Sequence, residues 1–150
     1  MKVTDVYNDL LAVLSTAFPS KTQLPNPYDV ADNNCRFLTD GYGIAISGGV
    51  STERFSTCTK KSILRTYTVW LTRQITTTEN NINALRAIEI LMYEDQLTLI
   101  NGIEKDTDLQ ASAIRSVYAD DSGTSFIEAD TGMYYALATT ITVEYIETLT

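Results

Sequence analysis

The side chains able to do chemistry in this chain are mainly carboxylates. Its 150 residues include 19 Asp and Glu, 11 Lys and Arg, 2 Cys and no His. The absence of His excludes His-based zinc sites, Ser-His and Cys-His nucleophile pairs and imidazole acid–base catalysis. What remains open is a carboxylate site for a hard cation or a carboxylate pair for acid–base catalysis.

Two acidic segments have residue types that bind hard cations. Asp106 and Asp108 form the first, and Asp120 and Asp121 the second. An EF-hand loop needs oxygen ligands at alternate positions and a final bidentate Glu, and neither segment has that spacing. We therefore interpret both as solvated turns and predict no metal, no cofactor and no catalytic residue.

Glu94 and Asp95 are the closest pair of carboxylates within a helical pattern. Adjacent residues on a helix point in different directions. A solvated helix face is therefore a better interpretation of this pair than a catalytic acid and base.

A basic segment surrounds one aromatic residue. Arg54, Lys60 and Lys61 flank Phe55, and Cys58 lies between them. Basic and aromatic residues together bind nucleic acid through phosphate contacts and stacking. Lysines close to Cys58 favour the thiolate form of its side chain. An interface arm that meets an acidic patch explains the same residues equally well, and a net charge of −8 opposes DNA binding.

The charge is divided unevenly along the chain. Residues 1–75 carry 8 basic and 6 acidic side chains, whereas residues 76–150 carry 3 basic and 13 acidic ones. A folded domain with this asymmetry has one negative and one nearly neutral face. The asymmetry is explained by an acidic, solvated surface, or alternatively by self-association between unlike faces.

Two amphipathic helices are predicted over residues 4–18 and 79–100, because apolar residues recur there every three or four positions. Pro19 ends the first helix, and Asn101-Gly102 ends the second. The predicted apolar stripe of the second helix comprises Ile82, Leu85, Ile88, Met92 and Leu99, broadened by Ile90 and Leu91.

Period-two alternation predicts two long strands over residues 63–75 and 133–149. Between them, a hairpin is predicted with its turn at residues 120–123, where Asp-Asp-Ser-Gly is typical of a turn. Strands longer than the usual five or six residues curve or project beyond the core. A projecting strand has an exposed edge that invites pairing with another chain.

The remaining segments are predicted to be irregular or short. Residues 19–34 hold all three prolines and predict an extended loop. Two short strands over 35–39 and 42–47 are expected around an Asp40-Gly41 turn. Residues 47–62 predict a second hairpin or an extended arm.

These elements predict one α+β domain over residues 1–150. Its sheet is expected to be curved, antiparallel or mixed, with two long strands and two flanking α-helices. No segment has the length and apolarity of a membrane span. No secretory signal is recognisable, so a reducing cytoplasm is the expected compartment.

In the order and length of its elements, the chain resembles bacteriophage tail terminator proteins, also called tail completion or tail-to-head joining proteins. The resemblance is one of pattern over nearly the whole chain, because the family has no catalytic signature. The segments that carry it are RTYTVWLTRQI, NALRAIEILMY, IRSVYADDSGTSFIEAD and YYALATTITVEYIE.

The resemblance implies a structural virion protein of the tail or neck, assembled in the cytoplasm of the bacterial host. Six copies would form a ring that caps the tail tube, ends its polymerisation and meets a head-side connector or head-closure protein. DNA would pass through the lumen, where negative charge prevents sticking. No reaction, cofactor or membrane is implied.

Two alternatives stay open beside this one. A tail-tube or head-closure protein would have similar strands, and a tube subunit would polymerise into long cylinders. A small metal-dependent hydrolase would be stabilised by metal and would lose activity when Asp106 or Asp120 is changed.

The family has no invariant catalytic residues, so candidate contacts are chosen from this sequence. The basic segment and the acidic loops are predicted to contact neighbouring subunits or the tail tube. The residues are Arg54, Phe55, Lys60, Lys61, Asp106, Asp108, Asp120 and Asp121.

Overall fold

The structure is a computed structural model that describes residues 2–24, 39–52, 59–76, 82–106 and 115–148. The two helices are α1, Lys2–Ala17, and α2, Ile82–Lys105. The strands are β1, Thr22–Gln23; β2, Gly41–Thr52; β3, Lys60–Gln74; β4, Arg115–Ala129; and β5, Gly132–Thr148.

The strands form one open, mixed sheet in the order β1-β2-β3-β5-β4. β1 pairs with β2 in parallel, and all other neighbours are antiparallel. The two long strands predicted from alternation are β3 and β5, which pair along their length from Lys60 opposite Thr148 to Gln74 opposite Tyr134. The predicted α+β class, with a mixed sheet and two helices, is therefore confirmed.

Both helices pack on one face of this sheet. The β3 face is the one predicted from alternation, with Tyr67, Val69 and Leu71 fully buried. The same core cluster contains Ile141, Val143 and Tyr145 of β5, Val6, Leu10 and Leu14 of α1, and Leu99 and Ile103 of α2. Burial of these side chains is the main stabilising contribution to the fold.

A smaller apolar cluster lies on the opposite face of the sheet. Leu24, which follows β1, is held there because its amide donates a hydrogen bond of 2.8 Å to the Tyr42 carbonyl. Leu24 packs with Ile127 and Tyr134, and Trp70 of β3 lies half-buried against them. Trp70 thus packs on the face away from the helices.

The second helix extends further than predicted, because α2 runs to Lys105 and Gly102 does not end it. Gly102 instead lets α1 approach closely. A Cβ atom at Gly102 would lie 3.1 Å from Cγ1 of Val13. This contact between helices, which no local pattern reveals, explains the glycine better than a helix stop does.

The predicted apolar stripe of α2 is only partly buried. The buried residues of the helix are Met92, Gln96, Leu99 and Ile103, of which only Met92 and Leu99 were in the predicted stripe. Ile82, Ile90 and Leu91 were expected in the stripe but are exposed.

The predicted turn at residues 120–123 is wrong, because β4 continues through it. The register against β5 shifts between Tyr118 and Asp120, and again between Asp121 and Thr124. The Asp-Asp-Ser-Gly segment therefore produces irregular pairing of the bulge type within one strand. The chain reverses after Ala129, which pairs with Gly132, and the positive φ of 137° at Gly132 favours glycine there.

Parts of the segments predicted to be irregular form β-strands in the described residues. The predicted loop contains the short strand β1, and the strand predicted over 42–47 is part of β2, which starts at Gly41 and pairs with β1 and β3. Residues 47–52 of the predicted arm belong to β2, and residues 60–62 belong to β3. The short strand expected over 35–39 lies outside the described residues except for Thr39.

Neither of the two described helices combines the length and the hydropathy that crossing a membrane would require.

Candidate interaction surface

The predicted basic contacts are located at one end of β3. Lys60 and Lys61 are exposed and start the strand, opposite Thr148 and Glu147 of β5. Arg54, Phe55 and Cys58 lie outside the described residues.

The predicted acidic contacts lie elsewhere. Asp106 is half-buried just after α2, and Asp108 lies outside the described residues. Asp120 and Asp121 are part of β4, opposite Thr140 and Thr139.

The sheet register keeps these two groups apart. Asp120 is opposite Thr140, and Thr140 is opposite Thr68 of β3. Thr68 is eight residues along β3 from Lys60, a distance of about 26 Å at the usual strand rise. One copy of the chain therefore does not bring Lys60 and Asp120 together.

Lys21, Arg73 and Asp95 form a charged cluster that was not predicted from the sequence. It connects the segment after α1 with β3 and α2. Nη2 of Arg73 donates to both carboxylate oxygens of Asp95, at 2.9 and 3.1 Å. Nζ of Lys21 lies 3.4 Å from Oδ2 of Asp95 and donates to the Thr72 carbonyl at 2.8 Å. Glu94 beside it is exposed, so the two adjacent carboxylates do point in different directions. The predicted solvated helix face is wrong for Asp95, whose side chain is only 15% exposed and pairs with both cations.

Burial dominates the electrostatics of this cluster. The Lys21 side chain is only 6% exposed. Burial lowers the pKa of Lys21 from its ordinary value, while the carboxylate of Asp95 acts in the opposite direction. Nε of Arg73 is also buried, with no hydrogen-bond partner among the described residues.

These charges line a cavity of about 300 Å³ together with Asp40, Phe18 and Thr98. Asp40 accepts a hydrogen bond from the backbone amide of Gln74. Within the cavity the two cations Lys21 and Arg73 face the carboxylates of Asp40 and Asp95, and the hydroxyl residues Ser20 and Thr98 also line it. We interpret this charged cluster as a structural connection between the segment after α1, β3 and α2.

Within the described ranges, no three His, Cys, Asp or Glu side chains converge in a way that would hold a metal ion.

An exposed apolar strip runs along α2. Ile82, Ile90, Tyr93 and Leu97 are 40 to 66% exposed. At about 100° per residue they fall within about 80° of arc on the helix. We call these four residues the α2 stripe. The exposed Arg86 lies in the middle of the same arc and separates Ile82 from Ile90, so the continuous apolar part comprises Ile90, Tyr93 and Leu97. Exposed apolar patches mark interaction sites.

The α2 stripe lies on the flank of the helix nearest β4. Oε1 of Glu89, about 60° around the helix from the centre of the stripe, accepts a hydrogen bond of 3.2 Å from Thr124 of β4. Gly102, which faces α1, lies about 160° from that centre. Phe126 of β4 adds exposed apolar surface on this flank, since 48% of the residue is exposed. It is opposite Tyr135 of β5, and the two rings pack edge to face with their centroids 5.7 Å apart.

A second apolar feature lies at the other side of the molecule. Val3, Thr4 and Tyr7 of α1 and Ile46 of β2 line a shallow groove of about 120 Å³. Ile46 is 39% exposed, on the same sheet face as the helices, since it pairs with Tyr67. We call these four residues the α1 groove.

Both outer strands present open edges within the described part of the chain. β1 covers only Gly41 and Tyr42 of β2, and no strand among the described residues lies outside residues 43–52. β4 has β5 on one side and no described strand on the other. Unpaired strand edges of this length are templates for pairing with another chain.

No protein-family model and no curated protein matches this sequence. In the charged cluster, Lys21 and Arg73 both pair with Asp95.

Proposed function

We propose that this chain is a structural subunit whose copies assemble into a closed ring, expected to be a hexamer. The observation that supports this proposal is that β2 and β4, on opposite sides of one sheet, have long edges that no described strand covers. An exposed edge is an aggregation hazard in a monomer. A ring removes the hazard, because every copy uses one edge to cover the other edge of its neighbour.

Within a virion, the ring would act as a tail terminator. It would cap the last ring of the tail tube, end polymerisation of the tube and join it to the head-side connector or head-closure protein. The resemblance in element order supports this role. The concentration of acidic residues in the second half of the chain suits a lumen through which DNA slides without binding.

The proposal assigns no reaction and no cofactor to the chain. Its partners are other copies of the same chain, the tail tube protein and the connector, with DNA only passing through the lumen. The nearest alternative is a tail-tube subunit, because the same two edges would also support open-ended stacking of rings or a helical filament.

Native mass spectrometry and negative-stain imaging of the purified protein test the proposal. We expect a single closed species of six chains, seen as rings with a central hole, and no longer assemblies as the concentration is raised. Filaments that lengthen with concentration would identify a tube subunit instead. A compact monomer at all concentrations would contradict both assignments.

A further inference from the structure

We infer that copies of this chain associate head to tail, with the β4 edge and α2 stripe of one copy against the β2 edge and α1 groove of the next. This inference rests on the proposed function and specifies the surfaces through which the ring closes.

The strand directions permit this contact. β2 is antiparallel to β3, β3 to β5, and β5 to β4. β4 therefore runs opposite to β2. When two copies stand side by side in the same orientation, β4 of one is antiparallel to β2 of the other, and the antiparallel pattern continues from copy to copy.

The helices then meet in the same arrangement. Both helices pack on one sheet face, so copies joined edge to edge carry their helices on the same side. The α2 stripe lies toward β4, whereas the α1 groove lies beside β2. The contact therefore buries the exposed Leu97 and Ile90 side chains of one copy beside Tyr7 and Ile46 of the next, which is favourable in proportion to the apolar area covered.

The charges of the two strands favour this pairing over pairing of β4 with itself. β2 has the sequence GYGIAISGGVST, without a charged residue. β4 contains Asp120, Asp121 and Glu128 but only one basic residue, Arg115. A two-fold contact between two β4 strands would place net-negative strands side by side, and like charges on paired strands are destabilising.

The β2 edge itself also points to a strand partner. Natural sheets protect exposed edges with charges, proline or very short strands. The ten residues of β2 beyond β1 have no charge and no proline, and the register shift between Ile46 and Gly49 is the one irregularity in their described pairing with β3. A two-fold β4 contact would leave this uncharged edge and the α1 groove uncovered, whereas the head-to-tail contact covers both sides of every copy.

Two substitutions on exposed side chains block one surface each. Leu97→Glu places a charge in the α2 stripe, where Leu97 is 59% exposed, and Ile46→Glu places one in the α1 groove, where Ile46 is 39% exposed. Ile90→Glu is the second stripe variant in case Leu97→Glu unfolds. Circular dichroism and urea unfolding check that each variant folds.

Leu91→Glu is the matched control on the same helix. Leu91 is 39% exposed, and it lies about 100° or more around the helix from every residue of the α2 stripe. The same chemical change at Leu91 is expected to leave the assembly intact.

Native mass spectrometry measures the mass of each assembly. One variant is ¹⁵N-labelled, so that assemblies containing both variants differ in mass from those containing only one. Each blocked variant alone should lose the wild-type assembly and run as a monomer. An equimolar mixture should form a one-to-one heterodimer, because the intact groove of one variant meets the intact stripe of the other.

Other outcomes overturn the inference. If Ile46→Glu assembles like the wild type while Leu97→Glu does not, the stripes meet each other across a two-fold axis. If both variants still form wild-type rings, the ring stands and these surfaces are not its interface. A monomeric wild-type protein would overturn the proposed function as well.

Discussion

Both carboxylate oxygens of Asp95 accept hydrogen bonds from Nη2 of Arg73, at 3.1 and 2.9 Å, across 22 residues of sequence. The ion pair connects the middle of α2 to the end of β3 below it. Lys21 approaches the same carboxylate from the segment after α1. One side chain thus balances two cations that the fold has largely removed from water.

Asp95→Asn should lower the free energy of unfolding. The substitution leaves Lys21 and Arg73 without their counter-charge, although the Arg73 side chain keeps 27% exposure and some access to water. We expect a loss of about 2 kcal/mol, less than for a fully buried pair. Urea unfolding at pH 7 measures it, with Glu94→Gln as the exposed neighbour control. Equal effects of the two substitutions would contradict a specific role for Asp95.

Lys21 should make stability depend on alkaline pH. Burial lowers its pKa in the folded protein below the ordinary 10.5. As pH rises toward that ordinary value, the folded state loses this proton before the unfolded state does. The Lys21 contribution to the free energy of unfolding therefore increases with pH, by at most about 1.4 kcal/mol per pH unit.

The comparison of wild type with Lys21→Met isolates this contribution, because all other titrating groups are common to both. The difference in their free energies of unfolding should grow in favour of the wild type as pH approaches 10.5 from below. A difference that is constant or falls over that range would show that Lys21 does not titrate as proposed.

Gly41→Ala should destabilise the start of β2. A Cβ atom at Gly41 would lie 2.6 Å from the Thr22 carbonyl oxygen and 2.8 Å from Cδ2 of Leu24. The short β1 strand must move to admit it, at a cost of about 1–3 kcal/mol. Gly48→Ala is the matched control in the same strand, because no atom of the described residues lies within 4 Å of its Cβ position.

Gly48→Ala is expected to change the free energy of unfolding by no more than about 0.5 kcal/mol. Thermal and urea unfolding of the two variants, compared at low protein concentration, provides the measurement. If Gly41→Ala is as stable as Gly48→Ala, the close contact with Thr22 does not restrict that position.

Reversal of Lys60 and Lys61 to Glu should impair ring formation or capping of the tail tube. Both side chains are exposed at the start of β3, near the acidic Glu147 opposite Lys61. Adding two negative charges to a chain of net charge −8 should weaken contacts with another acidic surface. Native mass and tube-length distributions are the readouts. Unchanged assembly would remove these lysines from the interface.

Local residue patterns are sufficient to predict the two helices, the two long strands and the buried face of each long strand. Periodicity is a local property, so Tyr67, Val69 and Leu71 could be assigned to one face without knowledge of their partners. The α+β class follows from the order of these patterns. By contrast, the turn-like residues at 120–123 were misread, because the pairing of β4 with β5 overrides their local preference.

Contacts between residues distant in the sequence depend on how the elements pack. Lys21, Arg73 and Asp95 are far apart in the sequence and converge because α1, β3 and α2 pack together. The role of Gly102 likewise depends on its distance from Val13 of α1. The two open edges follow from the strand order, which places β2 and β4 at opposite sides of the sheet. Strand order is set by long-range pairing and burial, and no local pattern of residues encodes it.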